Sequence, residues 1–280
     1  MCQLNKIADV CELAAREGGS VLLSWAGRVT VREKGPADLV TEADLAAQEA
    51  VRQTIHEAFP SHRFVGEEAP CSEDLFSTLY EEESYVWIVD PLDGTTNFAH
   101  NLPFYACSVA AVCKGEVHAA AVYNPVADEC FTAVLGGGAK LNGSIIHTSC
   151  VKNISEALVA ASFPPRMQRE APELINLLRV FEAAQAVRRT GSAALNMCYV
   201  ASGRLDAYWA TGTHAWDVAA GALLVQESGG TITAIDGGPF QLLRPQPVVT
   251  ATESLQRELI ALLFRGERTC SAESELSDGE

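Results

Sequence analysis

Apolar residues recur at helical spacing through the first turns of the chain. Leu4, Ile7, Ala8, Cys11, Ala14 and Ala15 are followed by Val21, Leu22 and Trp25, which predicts a helix over 4–25. A second helix is predicted over 42–58, with Thr41 as N-cap, Asp44 at the third helical position and Pro60 just beyond the end. Short apolar runs bounded by turn residues then predict strands at 63–65 and 85–89. Two more, 105–112 and 117–123, are joined by the Lys114-Gly115 turn, and another is predicted at 129–134. The glycine-rich stretch 136–143 reads as a loop closing this block.

Beyond about residue 150 helices and strands alternate. Strand 157–162, helix 170–185, strand 187–190, helix 193–202, strand 205–209 and helix 216–228 come in turn, then strands 231–235 and 247–251 and helix 253–264. The second half is therefore α/β in class and the first α+β. The organisation expected is an N-terminal half over 1–150, a C-terminal half over 151–265 and a disordered acidic tail over 266–280, rich in Ser and Glu.

Composition changes this picture only by exclusion. Of 280 residues 48% are hydrophobic and 20% charged, which rules out a largely disordered chain. A net charge of −16 argues against nucleic acid or an anionic membrane as partner, while it suits a holder of divalent cations. No apolar run approaches the roughly 18 residues that span a bilayer. The N-terminus lacks the apolar core of a signal peptide, so a cytoplasmic location is expected. The nine cysteines are odd in number, contain no Cys-x-x-Cys pair and sit among apolar neighbours. They read as small buried hydrophobes.

The chemistry lies in the acids. Between Phe64 and Cys113 there is no Lys or Arg, while Glu67, Glu68, Glu73, Asp74, Glu81, Glu82, Glu83, Asp90 and Asp93 all fall there. Glu73, Asp74 and Glu81–Glu83 lie in polar sequence and read as a solvated face. Asp90 and Asp93 instead end an apolar run, Tyr85-Val-Trp-Ile-Val89, that heads into a core. Buried carboxylates three residues apart repel one another, and a bound metal is the economical compensation. In Asp90-Pro-Leu-Asp93-Gly-Thr-Thr-Asn97, hydroxyl residues follow and can start a short helix, whose N–H groups at Gly94–Thr96 would receive phosphate. Metal ligands beside an anion cradle describe metal-assisted phosphoryl chemistry. Phe64-Val-Gly-Glu-Glu68 ends a second apolar strand in acids, and Trp216-Asp-Val-Ala-Ala-Gly221 opens an apolar helix with an acid in its first turn. Taken singly, Asp217 is accounted for by the helix dipole and Asp44 by its cap.

Asp-x-x-Asp-Gly-Thr also resembles the haloacid-dehalogenase signature, in which the first Asp is a covalent nucleophile, but that signature spaces its acids Asp-x-Asp. In an extended segment residues i and i+2 share a face and i+3 does not, so an aspartyl-phosphate mechanism is disfavoured.

Five ordered segments together resemble the inositol monophosphatase family of magnesium-dependent, lithium-sensitive phosphatases. They are Asp38-Leu-Val-Thr-Glu-Ala-Asp44, Gly66-Glu-Glu68, Trp87-Ile-Val-Asp-Pro-Leu-Asp-Gly-Thr-Thr-Asn-Phe98, Arg189-Thr-Gly-Ser-Ala-Ala-Leu-Asn196 and Trp216-Asp-Val-Ala-Ala-Gly221. The resemblance implies a layered α-β-α-β-α sandwich of the inositol monophosphatase/fructose-1,6-bisphosphatase type, and a homodimer. It implies a first Mg²⁺ on Glu67, Asp90, the Leu92 carbonyl and Thr95, and a second on Asp90, Asp93 and Asp217, with Glu67 a candidate for a third. Asp44 and Thr95, with Glu67, would activate water. Gly94, Thr95 and Thr96 would bind phosphate, and Ser162 and Ala193 would touch substrate. The activity implied is hydrolysis of a small phosphate monoester, inositol monophosphate first, with fructose 1,6-bisphosphate, histidinol phosphate and 3′-phosphoadenosine 5′-phosphate as alternatives. A non-catalytic metal-binding protein on the same fold is the competing class. One departure bears on substrate: seven residues before Asp217, where inositol-type members carry a Glu for substrate hydroxyls, this chain has Ala210.

Overall fold

A computed structural model of the chain describes residues 2–28, 31–35, 38–68, 84–164 and 166–263. The tail over 266–280 and the acids Glu73, Asp74 and Glu81–Glu83 lie outside the described residues. The two predicted helices are α1 (Cys2–Trp25) and α2 (Glu42–Ala58). α2 starts where its capping signal places it: the Ala43 N–H donates to Thr41 Oγ1 at 3.1 Å and the Thr41 N–H to Asp44 Oδ2 at 2.9 Å. Between the helices lies a hairpin that the pattern did not predict, β1 (Val31–Gly35) antiparallel to β2 (Asp38–Thr41). β1 reads Val-Arg-Glu-Lys-Gly, which offers no alternation to detect.

A seven-stranded sheet follows in chain order: β3 (Arg63–Gly66), β4 (Val86–Asp93), β5 (Ala106–Cys113), β6 (Glu116–Asn124), β7 (Glu129–Val134), β8 (Gly138–Leu141) and β9 (Ser144–Ile145). Only β3 and β4 pair in parallel. Two expectations need correction. The stretch read as a loop holds β8, which turns into β9 through Asn142-Gly143, a favoured hairpin pair. β4 does not stop at Val89 but continues through Pro91 to Asp93. Its register pairs Asp90 with Ser108 and Asp93 with Ala106, so three steps on β4 oppose two on β5. This is a bulge, where a proline forfeits no regular ladder bond.

After a 3₁₀ turn at Ile154–Glu156 the second half supplies β10 (Leu158–Ser162), β11 (Ala186–Arg188), β12 (Ala207–Ala210), β13 (Thr231–Ala234) and β14 (Pro247–Thr250), ordered β11-β10-β12-β14-β13. The helices are α3 (Thr95–Ala99), in the first half, then α4 (Pro172–Ala183), α5 (Ala193–Ala201), α6 (Ala215–Glu227) and α7 (Glu253–Leu263).

Burial sorts these into five layers. α1 and α2 cover one face of the large sheet, with Ile7, Cys11 and Val51 against Trp87 and Val109. α5 and α6 lie between the sheets, where Met197, Val218 and Leu223 share one cluster with Val65, Ile88 and Phe131 on one side and Tyr208 and Val249 on the other. α4 and α7 close the outside, with Val180, Leu255 and Leu259 against Val159 and Trp209. The architecture is the α-β-α-β-α sandwich, mixed α/β in class. β12 shows how the period of two assigns faces: Ala207 and Trp209 enter the outer cluster, Tyr208 and Ala210 the inner one. Cys11, Cys107, Cys130 and Cys198 are buried free thiols, as expected, but Cys150 is exposed. The side chain of Cys2, Cys71 and Cys270 lie outside the described residues. Among the described residues no helix is long and apolar enough to cross a membrane.

Candidate active site

The bulge in β4 decides where its carboxylates go. Without it, residues three apart would point to opposite faces. With one residue added, Asp90 and Asp93 stand close enough for the charge of Asp93 to act on Asp90. Both are buried, at 1% and 8% exposure. Burial first, then the charges of Glu67, Asp93 and Asp217, push Asp90 well above the usual carboxylate range. Burial and then Asp217 hold Asp93 up at about 7, although Ser192, Ala194 and Ala193 donate hydrogen bonds to it.

Each of the other acids is set by its own element. Glu67 follows β3, and its N–H donates to Val89 O at 3.1 Å, which extends the parallel pairing to the strand tips. Gln48 of α2 accepts the next amide, Glu68 N–H, at 2.9 Å. Asp217 lies in the first turn of α6, and its Oδ2 accepts the His214 N–H at 2.7 Å. The place in the first helical turn that suits Asp217 to the helix dipole and its charge interaction with Asp90 and Asp93 therefore coexist.

Asp93 also joins the two halves. Its carboxylate accepts from Ser192 Oγ, from Ala193 N–H at 3.1 Å and from Ala194 N–H at 2.8 Å, across about a hundred residues of chain. These donors form the N-terminus of α5, a natural seat for an anion. Ala193, expected to meet substrate through its backbone, thus donates to Asp93 in this structure.

Thr95 and Asp44 meet as expected. Thr95 Oγ1 lies 3.0 Å from Leu92 O and 3.4 Å from Asp44 Oδ1, and donates its one proton to either. The other Asp44 oxygen accepts from Thr41 N–H and from Thr41 Oγ1 at 2.6 Å. Asp44 is thus both cap and partner of Thr95. Burial raises its pKa, Thr41 opposes the rise, and Glu68 adds to it. Gly94 precedes α3 with φ +97, and a Cβ there would stand 3.0 Å from Phe104 O, so the turn admits only glycine without strain.

A cleft of about 530 Å³ opens beside these groups, lined by Asp93, Thr96, Ser162, Arg189, Ala193 and Asp217 among others. Five of these six are predicted site residues, drawn from both halves. Ala210 is fully buried on β12, with its Cα paired to that of Ser162.

Sequence reasoning gave no role to Ser192, Asn97, Gln48 or Arg189. Ser192 carried a legible signal, being an N-cap that accepts the Leu195 N–H at 3.1 Å. Asn97 did not: its Nδ2 donates to Phe104 O at 2.7 Å and Thr190 O at 2.9 Å, the second in the other half of the chain. Gly191 closes over it with φ +92, where a Cβ would stand 2.8 Å from that nitrogen.

The donor set fits a hard divalent cation, since it consists of carboxylates and a carbonyl. None of the groups that set the proton affinity of Asp90 or Asp93 is a cationic side chain. Among the described residues no three His, Cys, Asp or Glu side chains already close on a single point.

Known proteins of similar sequence and fold identify the family. The model of the inositol monophosphatase family matches residues 3–266. The chain is 41% identical to Nus factor SuhB of Pseudomonas aeruginosa over 241 residues, covering 84% of this chain and 87% of that one. It is 37% identical to inositol-1-monophosphatase of Mesorhizobium japonicum over 260 residues, covering 91% and 95%. Among solved structures, the extragenic suppressor protein SuhB of Bartonella henselae superposes with a TM-score of 0.85 at 35% identity, covering 93% and 99%. The inositol monophosphatase of Anabaena gives 0.81 at 33% identity, covering 93% and 96%. With the family model spanning nearly the whole chain, this protein belongs to the inositol monophosphatase family, a family of metal-dependent phosphatases.

Proposed function

We propose that the protein is a Mg²⁺-dependent phosphomonoesterase that hydrolyses a small polyol or sugar phosphate, inositol monophosphate first, by direct attack of water. The observation that carries this is Asp90, 1% exposed and coupled by charge to Glu67, Asp93 and Asp217. Glu67, Asp90 and the Leu92 carbonyl would hold one Mg²⁺, and Asp90, Asp93 and Asp217 another, with Glu67 open to a weaker third. Bound there, the ions supply Lewis acidity to the phosphoryl group and the attacking water.

The chain's own residues do the rest. The Thr95 hydroxyl, held between Leu92 O and Asp44 Oδ1, takes a proton from the water and passes its own to Asp44. The N–H groups of Gly94, Thr95 and Thr96 have no intrahelical partner and receive phosphate oxygens. Ser162 and the Ala193 backbone border the end of the substrate away from phosphorus. A non-catalytic protein would have no use for the Thr95–Asp44 contact, which favours the enzyme.

Relatives named inositol-1-monophosphatase support inositol monophosphate as substrate. Ala210 in place of an acid supports a broader range, because no buried carboxylate is left unpaired by a poorer substrate. The test is phosphate release from a panel of inositol, sugar and glycerol phosphates with Mg²⁺ titration. Hydrolysis of several, lost in EDTA, is expected. Undiminished activity in EDTA would overturn the mechanism.

A further inference from the structure

Among the described residues three buried side-chain polar atoms lack a hydrogen-bond partner: Asn196 Nδ2, Tyr208 OH and Thr211 Oγ1. Buried orphans of this kind cost about 1–3 kcal/mol each, so native interiors keep few of them. Thr211 comes at the end of β12, where alternation turns it away from the inner cluster. The other two share one place. Tyr208 projects from β12 into the inner layer, and its hydroxyl interacts with the side chains of Ser162 and Asn196, within reach of the charges of Asp93 and Asp217. Close as these side chains are, neither Tyr208 OH nor Asn196 Nδ2 has a partner in hydrogen-bond geometry. Both residues are 0% exposed.

The surroundings of this gap belong to the cleft. Asn196 Oδ1 accepts from Thr190 Oγ1 at 2.7 Å, and Thr190 O accepts from Asn97. Thr190, Asn97 and Ser162 all line the cleft, and Ser162 pairs with Ala210 on the neighbouring strand. A chain of polar groups therefore runs under the cleft floor from α3 to β10, broken only between Asn196 and Ser162. We infer that a buried water occupies this break, bound by Tyr208 OH and Asn196 Nδ2, and that Tyr208 and Asn196 are positioning residues for the substrate end of the site. A water suits the place: two polar anchors and a third at Ser162 give the number of partners that buried waters have. Bridged in this way, Thr190 and Ser162 are fixed on the cleft wall, where Ser162 borders the substrate on the proposed reading, while the carboxylates of the site are untouched.

Tyr208→Phe removes one oxygen and nothing else. The kinetic part of its test rests on the phosphatase reading above; the structural part does not. In a high-resolution crystal structure of the wild-type protein, an ordered solvent peak is expected within hydrogen-bond distance of both Tyr208 OH and Asn196 Nδ2. Tyr208→Phe should lose that peak and lower the melting temperature by about 2–4 °C. It should also raise KM for the phosphate ester about fivefold, the equivalent of one hydrogen bond, with kcat and the Mg²⁺ half-saturation unchanged. A dry gap in the wild-type crystal overturns the inference, whether or not the variant folds. A Tyr208→Phe protein that melts at or above the wild type overturns it as well, because removing a truly orphaned hydroxyl is neutral or stabilising. A solvent peak with an unchanged KM overturns the positioning role. Should the wild type hydrolyse no phosphate ester, the peak and the melting shift still decide the water, and the failure falls on the functional reading alone.

Discussion

Asp93 accepts hydrogen bonds from the start of α5 and, on the function proposed above, would also hold a metal; its neighbour in the pair has no such helix contact. Asp90 accepts from the Leu92 N–H at 3.0 Å and is otherwise surrounded by like charge. Asp90→Asn removes that repulsion, so the metal-free variant should melt above the wild type while its turnover falls by about a hundredfold or more. Asp93→Asn should lose turnover and also stability. An amide turned toward Ser192, Ala193 and Ala194 sets donor against donor, at a cost of about 1–3 kcal/mol. Thermal melts of the two chelated variants against the wild type check the opposite signs. Thr95→Ala should lower kcat about a hundredfold with little change in KM if its hydroxyl acts in the proposed proton transfer; a change confined to KM would make it a phosphate binder only. Asp90 was legible in the sequence because an acid ends an apolar run. The second duty of Asp93 was not, since its partners begin a helix a hundred residues later.

At the scale of elements, the spacing argument against a shared face for Asp90 and Asp93 holds only for regular strand. Pro91, two residues before the second acid, is the sign of a bulge that the sequence offers. The helices were legible almost to the residue, because capping at Thr41 and 3.6-residue spacing are local. β1 and β8 were not, because one lacks alternation and the other lies in glycine-rich sequence that imitates a loop. The turn before α5 is the element on which the site depends most. Gly191, at φ +92 over the Asn97 amide, lets Ser192 reach Asp93. Gly191→Ala combines a left-handed strain of about 1–2 kcal/mol with a clash. It should lower the melting temperature by about 3–8 °C and reduce turnover, as differential scanning fluorimetry and phosphate release would show. A variant as stable as the wild type would mean that the turn tolerates a Cβ.

For the molecule as a whole, the coupled acids set a pH dependence. The folded-state pKa values of Asp90 and Asp93 lie above the ordinary 3.8, so the folded form binds protons more tightly than the unfolded chain. Their contribution to stability is full below about pH 4 and is lost as pH rises through the folded values, about 7 for Asp93. Chelated protein should therefore melt higher at pH 5.5 than at pH 7.5, and saturating Mg²⁺ should flatten or reverse that slope. A chelated protein with its maximum at pH 7.5 would show that the acids are compensated within the chain. The layered architecture has a consequence for synthesis as well. The inner face of the seven-stranded sheet, with Val65, Ile88, Val122 and Phe131, is covered by α5 and α6, which lie in the later half of the chain. When the first 150 residues have left the ribosome, that face has no cover and presents an apolar surface to the nascent chain's surroundings. A chain released at that point should be sticky and dependent on chaperones, and the protein should reach its fold only after translation has passed Glu227.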